Sequence, residues 1–553
     1  MARSSSPEFD DEADHSDDEE INIDRLIKDP IHDHIPISPT LSRFIDTRQF
    51  QRLRSIKQLG TTSYVWPGAS HSRFEHCIGV AYLARLMASH LKNNQPKLKI
   101  TDRDVDCVEI AGLCHDLGHG PWSHVWDGMF YTGRLERKGK NEIPMPVEDQ
   151  AFVKALIAGD HSRTPSEKPF LFDIVANKRN GLDVDKLDYI TRDSHMIGDP
   201  ISFSLVRLVH SARVIGDEIT YEIKNANHIY EICYNRFKLH KTVYNHKSAK
   251  AIEYMIIDAL LLANEVLHFA EDVFNAERYI YLTDEIMSRI EASTDERLKD
   301  AQAIFLRIRR RELYRNVDFK VIEWHMRDVF KKHVTAERIV EAARKLVLDQ
   351  SISGAPGLER SDSSSTISSL EEAEALRAED VIVDFSAMHY GMKEKNPMDF
   401  IKFYTKRKLN ECMNADNGVY SNLMPPVFAE VVLRVYTKKQ KFYGLVQAGY
   451  RAILAELQAT SSPSGTQLNQ SAGILAVADP RALTPPITEA PLHTKNPCLE
   501  IQASPSDLEP LHFQIITLRR PTQNSKKIKG RKRSREDMIL TNSSTANKKR
   551  KAS

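Results

Sequence analysis

The residues best able to do chemistry lie in one short stretch, Cys114-His115-Asp116-Leu117-Gly118-His119-Gly120-Pro121-Trp122-Ser123-His124. Imidazole nitrogen and carboxylate oxygen side by side suit Fe, Mn, Co or Zn. A buried His beside a buried Asp is costly unless the two are hydrogen-bonded or metal-bound. Neighbouring residues on a helix point about 100° apart, so His115 and Asp116 share a cation only if it lies close to a helix end. Further ligands must come from elsewhere. His76, in the helical Arg73-Phe74-Glu75-His76-Cys77, is one candidate. Asp183 and Asp185, in Gly181-Leu182-Asp183-Val184-Asp185-Lys186-Leu187-Asp188-Tyr189, are others. A lone His-Asp pair also serves as an N-cap or an ion pair, and the chain carries such a decoy. Ile31-His32-Asp33-His34 precedes Pro36 and reads as a turn. What sets His115-Asp116 apart is the ordered series His76, His115-Asp116, Asp185 on helical segments, with His119 and His124 close behind.

The elements around these residues are mostly helical. An apolar helical run, Val105–Leu113, leads into the His-Asp pair, and Gly120-Pro121 stops it. Apolar spacing of three and four recurs, as in Ile78-Val80-Leu83-Leu86-Met87 and Ile252-Ile256-Leu260-Leu261-Val266. Thr335–Asp349 reads as a helix and Val381–Phe385 as a strand. Ser351–Ser369 is Ser- and Gly-rich and reads as a mobile loop. From about Ala459 the composition predicts disorder, with one ordered piece at Leu511–Leu518. The expected fold is mainly α: a helical core over 21–320 and a smaller mixed α/β lobe over 321–457, between disordered segments at 1–20 and 458–553.

The 553 residues are 41% hydrophobic and 28% charged, which excludes wholesale disorder, a collagen-like fibre or a small disulfide scaffold. The net charge of +1 hides an asymmetry. Residues 1–20 hold nine acids and one Arg, net −8, whereas 521–553 hold eleven Lys/Arg and two acids, net +9. The six cysteines form no CxxC pair, as expected of free thiols in a reducing compartment. No signal peptide and no membrane span is expected; Ala251–Leu267 is interrupted by Glu253, Asp258 and Glu265. The basic clusters Lys526–Arg535 and Lys548–Lys551 read as a nuclear localisation signal, hence a nuclear import receptor as partner, or as a nucleic-acid contact. The bland alternative is a solvated charge run.

The ordered His…His-Asp…Asp set resembles the HD-domain metal-dependent phosphohydrolases. Further stretches resemble one family among them: Asp29–His32, Asp46–Arg54, Tyr64–His71, Lys178–Gly181, Tyr189–Asp193 and Tyr390–Pro397. These are similar to the SAM- and HD-domain-containing deoxynucleoside triphosphate triphosphohydrolases, from about Arg25 to Tyr450. Only about 20 acidic residues precede the match, so a SAM domain is expected to be missing.

The resemblance implies that His76, His115, Asp116 and Asp185 hold one transition metal (Fe, Zn or Mn), with Mg²⁺ on the nucleotide phosphates. It implies hydrolysis of dNTPs to deoxynucleoside and tripolyphosphate. Arg73, Lys186, Arg236, His240 and His124 match phosphate and sugar contacts. Gln58, Tyr189, Asp193 and Tyr244 match the deoxyribose pocket, where the Tyr rings would crowd a 2′-hydroxyl. For Arg73 and Lys186 the plain alternative is a surface ion pair. His119 and Asp127 match a proton-transfer pair. A third member, a His in the family, is matched by Glu148. A carboxyl there needs burial or a neighbour such as Asp149 to raise its pKa for acid work.

The resemblance also implies activation by guanine nucleotide (GTP or dGTP) and dNTP between subunits, in a homo-oligomer ranging from dimer to tetramer. Asp46, Gln51 and Arg54 match the guanine-reading positions, Arg25 and Leu26 stand at the first half of that site with Arg25 replacing a Lys, and Arg311, Arg315 and Lys395 match the phosphate contacts. For the second activator, Arg207, His246 and Lys247 match, while Lys28, Ser211 and Thr242 depart from the pattern. Two other readings stand beside the lead: an HD phosphodiesterase or nuclease on another nucleotide or nucleic acid, and a nucleotide-sensing scaffold whose hydrolysis has decayed.

Overall fold

The computed structural model describes residues 25–127, 145–201, 203–352 and 370–461. The acidic head, the Lys/Glu-rich stretch over Arg134–Glu142, most of the Ser351–Ser369 segment, Leu511–Leu518 and both basic clusters lie outside the described residues. The fold is mainly α, with three small sheets.

The chain opens with a hairpin, β1 (Arg25–Asp29) against β2 (Asp33–Ile37). Asp29 Oδ1 accepts from the backbone N–H groups of Ile31 and His32 at 2.8 and 2.9 Å, which tightens the turn. Asp33 takes the left-handed conformation, φ 64°, that closes it. Ile35 and Ile37 point into the core, as strand alternation requires.

Helix α1 (Arg73–Asn94) runs through the centre. Ser72 caps it, and Glu75 returns a carboxylate to the Ser72 N–H, so the first turn is held from both ends. Its buried residues lie on nearly every side, the mark of a helix enclosed by others. Helix α2 (Asp102–Cys114) packs against it, capped by Thr101 with Asp104. Gly112 permits the crossing: a Cβ there would lie 3.1 Å from Ala81 Cα and from Val80 O. Helices α3 (Val147–Ala158), α4 (Val184–Met196) and α5 (Ala226–Leu239) complete this first core. A π turn, His240–Tyr244, extends α5. A second core forms between α6 (Lys247–Leu267) and α7 (Lys299–Arg309), with Trp122 and Trp126 inserted.

One sheet has the order β3 (Ala212–Ile215), β4 (Glu218–Glu222), β7 (Phe403–Thr405), β8 (Lys408–Met413). The other is antiparallel, with β9 (Ala429–Thr437) between β5 (Arg315–Glu323) and β6 (Val381–His389). Helices α8 (Ala336–Ile352) and α9 (Tyr443–Ser461) share a third core with this second sheet.

Several boundaries differ from those read along the chain. Position 320 falls inside β5, because that strand pairs with β9 far downstream, Lys320 opposite Leu433. Met398, Ile401, Phe403 and Tyr420 join the first core, and β7 pairs in parallel with β4. The segment 321–457 therefore does not have a core wholly its own. Helix α8 continues through Ser351 to Ile352, and α9 to Ser461, so the helical hydrogen bonding outlasts the apolar pattern at both ends. Among the described residues every cysteine is free, and no helix is long and apolar enough to cross a membrane.

Candidate metal and phosphate site

Helix α2 ends at Cys114, and His115 and Asp116 follow at its C-terminus rather than within it. Across from them, His76 occupies the first turn of α1. One ligand atom from each of His76, His115 and Asp116 falls within 4.8 Å of the others. The two imidazoles meet edge to face with centroids 5.1 Å apart. Asp185, in the first turn of α4, brings Oδ1 to 3.2 Å from His76 Nε2 and 3.4 Å from His115 Nε2. Asp183, the other carboxylate considered as a ligand, instead caps α4 and pairs with Lys186 at 2.8 Å.

Both histidines are held so that Nε2 faces the centre. His76 Nδ1 lies 2.7 Å from Asp188 Oδ2, and His115 Nδ1 lies 2.7 Å from the Gly112 carbonyl. Donation from each Nδ1 leaves the Nε2 lone pair for a cation. His115 Nε2 is buried and makes no hydrogen bond among the described residues. Such an orphan in a two-nitrogen, two-carboxylate set is what a transition metal resolves, so the residues fit the ion. His115 and Asp185 also line a cavity of about 270 Å³, together with Asn177, Lys178, Asp183 and Lys186.

Charge is concentrated here. Burial opposes the imidazolium of His76, but hydrogen bonds to Asp185 and Asp188 prevail and push its pKa up to about 10. Burial likewise opposes charge on His115, and the adjacent Asp116 outweighs it. Burial would raise Asp116 and Asp185, yet Arg73 and His115 hold the first far below the usual carboxylate range, and the two histidines do the same for the second. The pocket is built for positive charge.

Arg73 is buried, which excludes a surface ion pair. It donates from Nη1 to Asp116 Oδ2 and from Nε to Ser123 Oγ at 2.7 Å. Ser123 in turn donates to the Lys57 carbonyl at 2.8 Å. The turn that supplies Ser123 is strained: Trp122 and Ser123 both have positive φ, 51° and 57°. Asp284 accepts from the Trp122 N–H at 2.6 Å and pins it. A Cβ on Gly120 would lie 2.1 Å from the Trp126 ring. His119 Nε2 lies 3.2 Å from Asp116 Oδ1, and its ring meets that of His124 at 5.4 Å.

A second group of residues lies around Asp193. Tyr244 Oη donates to Asp193 Oδ2 at 2.6 Å, and His71 Nε2 donates to Oδ1 at 2.7 Å. Both carboxylate oxygens are thus engaged within the protein. His240 packs edge-on to Tyr244 at 4.8 Å; burial and then Arg236 hold it neutral. Arg236 donates to the His389 carbonyl. Among the described residues, Gln58 Oε1, His71 Nδ1 and Arg236 Nε are buried without a hydrogen bond, a concentration of orphans that a polar ligand would satisfy. Tyr189, on α4 beside Lys186, has its hydroxyl pKa raised by burial.

Other expected residues lie elsewhere. Glu148 is exposed in the first turn of α3. Asp149, the neighbour expected to raise its pKa, is instead held by Arg103 at 2.5 Å. Asp127 ends a short helix, His124–Asp127, and its side chain lies outside the described residues. At the surface, Arg25 Nη1 bonds both oxygens of Asp46 at 3.0 and 3.1 Å, and Arg54 Nε donates to Gln51 Oε1 at 2.9 Å. Leu26 is exposed beside them. Arg311 reaches the Tyr64 carbonyl at 3.1 Å, Arg315 is exposed at the start of β5, and Lys395 lies over the Phe400 ring at 5.8 Å. Arg207 and Lys247 are exposed, and His246 packs edge-on to Trp66 at 5.2 Å.

Sequence reasoning missed five residues of the site: His32, His71, Ser123, Asp188 and Arg192. Asp188 and Arg192 carried a readable signal, an acid and a base four apart on the helix of Asp185. His32 carried none, since its partner Asp188 is 156 residues away.

The comparisons agree with this geometry. A model of the HD domain matches residues 73–189, the span from Arg73 through Tyr189. The deoxynucleoside triphosphate triphosphohydrolase SAMHD1 of Bos taurus is 38% identical over 465 residues, 75% of each chain. That of Homo sapiens is 38% identical over 474 residues, 76% of this chain and 72% of its own. The SAMHD1 homolog of Dictyostelium discoideum is 35% identical over 477 residues, 83% of this chain and 86% of its own. With the His/Asp cluster and the buried arginine beside it, these similarities identify the chain as a member of the SAMHD1 family of HD-domain phosphohydrolases.

Proposed function

We propose that this protein hydrolyses deoxynucleoside triphosphates to deoxynucleoside and tripolyphosphate, and so limits dNTP pools. The observation that carries this is the convergence of His76, His115, Asp116 and Asp185 beside buried Arg73, in a chain related to named dNTP triphosphohydrolases. When bound, a transition metal held by those four residues supplies Lewis acidity toward a phosphate oxygen and lowers the pKa of water. Arg73 offers a planar fork to the phosphates, and Lys186 a point charge. His119, in contact with Asp116, is placed to move a proton at its Nε2. The Asp193–Tyr244–His71 group orients the sugar, and the ring of Tyr244 narrows the space beside it.

Activation by a guanine nucleotide is part of this reading. The surface pair Arg25–Asp46 and the adjacent Gln51–Arg54 pair support it, since a carboxylate released from Arg25 can accept from guanine N1–H and N2–H. Mg²⁺ on the phosphates, assembly into a homo-oligomer and nuclear import through the basic clusters complete it. Incubation with each dNTP, with and without GTP, tests the core claim. Tripolyphosphate and free deoxynucleoside are expected; absence of both from metal-loaded protein overturns it.

A further inference from the structure

The turn between β1 and β2 reaches into the interior and ends against the metal centre. His32 Nε2 lies 2.6 Å from Asp188 Oδ1, and the other oxygen of Asp188 lies 2.7 Å from His76 Nδ1. Arg192 clamps Asp188 from the side, donating from Nε and Nη2 at 2.9 Å each. The same guanidinium donates from Nη1 and Nη2 to Asp29 at 2.7 and 3.3 Å. Asp188 and Arg192 are wholly buried, and Asp29 and the His32 side chain are 4% exposed. Gly79, three residues after His76 on α1, makes room: a Cβ there would lie 2.1 Å from Asp188 Oδ1 and 2.5 Å from Arg192 Nη2.

Two carboxylates against one guanidinium leave this buried group one negative charge in excess when both imidazoles are neutral. An uncompensated charge of that kind is expensive to bury. Its natural complement is a cation on the far side of His76, at Nε2. The Asp188 carboxylate fixes the His76 tautomer, and a carboxylate behind a ligating imidazole raises the basicity of the opposite nitrogen.

We propose that His32 and Asp29 are positioning residues for the metal centre: through Asp188 and Arg192 they hold the imidazole of His76 in the orientation that binds the ion. The proposal rests on the reading of His76 as a metal ligand. It gives the hairpin turn a role at the catalytic centre, which a surface turn would not have.

The test measures Mn²⁺ affinity of the full chain by equilibrium dialysis, with circular dichroism and thermal melting as checks of folding. His32→Phe keeps the ring volume against Tyr82 and removes the hydrogen bond to Asp188. Its Mn²⁺ affinity should fall about 10- to 100-fold, the usual effect of losing such a partner. His32→Gln retains an N–H donor and should stay within about threefold of wild type. With saturating Mn²⁺, kcat for dNTP should recover in His32→Phe while KM stays unchanged. His115→Ala separates the two levels of the argument. If it retains wild-type Mn²⁺ affinity, the reading of the metal site fails. If it loses Mn²⁺ while folded His32→Phe binds as wild type, the present proposal fails alone. Should His32→Phe not fold, Asp29→Asn takes its place: weakened Mn²⁺ binding supports the proposal, and wild-type binding overturns it.

Discussion

The guanidinium of Arg73 donates to Asp116, so the residue proposed to meet phosphate is already joined to a residue proposed to meet metal. Nε of the same group is committed to Ser123. A lysine at this position carries the charge but cannot serve both partners in one plane. Arg73→Lys should therefore lower kcat/KM for dNTP about 10- to 100-fold, the equivalent of one charge-assisted hydrogen bond at about 1.5–3 kcal/mol. Steady-state kinetics with folded protein checks this.

Removal of the metal should be visible without any turnover. An ion that binds the folded chain and not the unfolded one adds about 2.7 kcal/mol of stability at a concentration 100 times its Kd. Chelation should lower the melting temperature of the wild type and abolish hydrolysis, and re-added Mn²⁺ should restore both. His115→Ala should melt at one temperature with or without chelator. Calorimetric scans of the two proteins decide the matter.

Tyr244 donates its hydroxyl to Asp193, while its ring borders the expected sugar position. The two contributions are separable. Tyr244→Phe keeps the ring and should retain the preference for dATP over ATP, with kcat/KM reduced about tenfold through the lost hydrogen bond. Tyr244→Ala should lose the preference itself. Competition assays with the two nucleotides measure the ratio directly.

Asp173 is buried in the first core, and burial pushes its carboxyl up to about 7 against the opposing charge of Arg179. The folded state therefore holds a proton that the unfolded chain releases near pH 4. Stability falls as pH rises from about 4 to about 7 on account of this residue. Asp173→Asn removes that slope. It should be more stable than wild type at pH 8, by on the order of 1–3 kcal/mol, with the advantage gone by pH 4. Arg179 keeps a second partner in Asp217 at 3.3 Å, so the variant does not strand it. Urea titrations at the two pH values give the comparison.

What could be read along the chain was what is local. His115-Asp116 stood out because a helix end and a turn fix both side chains within a few residues. His76 stood out through the ordered His…His-Asp…Asp series and Arg73 through the resemblance, and one capped turn presents both. That position 320 lies within a strand could not be read, because β5 owes its existence to β9, more than a hundred residues away, and pairing at that distance leaves no local mark. Asp149 was one neighbour that could have assisted Glu148, but Arg103, from α2, holds it. His32 read as a decoy in a turn. It is in a turn, yet the turn is folded inward, and only the assembled core shows that.

The support behind His76 also fixes an order of events during synthesis. Asp29 and Arg192 are separated by 163 residues, and His76 and Asp185 by 109. The hairpin leaves the ribosome early and can meet α1 through Tyr82, but its pairing with Asp188 and Arg192 waits until α4 has emerged. At about 5–20 residues per second, that wait lasts on the order of ten seconds or more. For that interval His32 and His76 lack Asp188, and Asp29 lacks Arg192, in the nascent chain. A metal that needs all four proposed ligands can be captured only after residue 185 has emerged, when the hairpin docks behind His76.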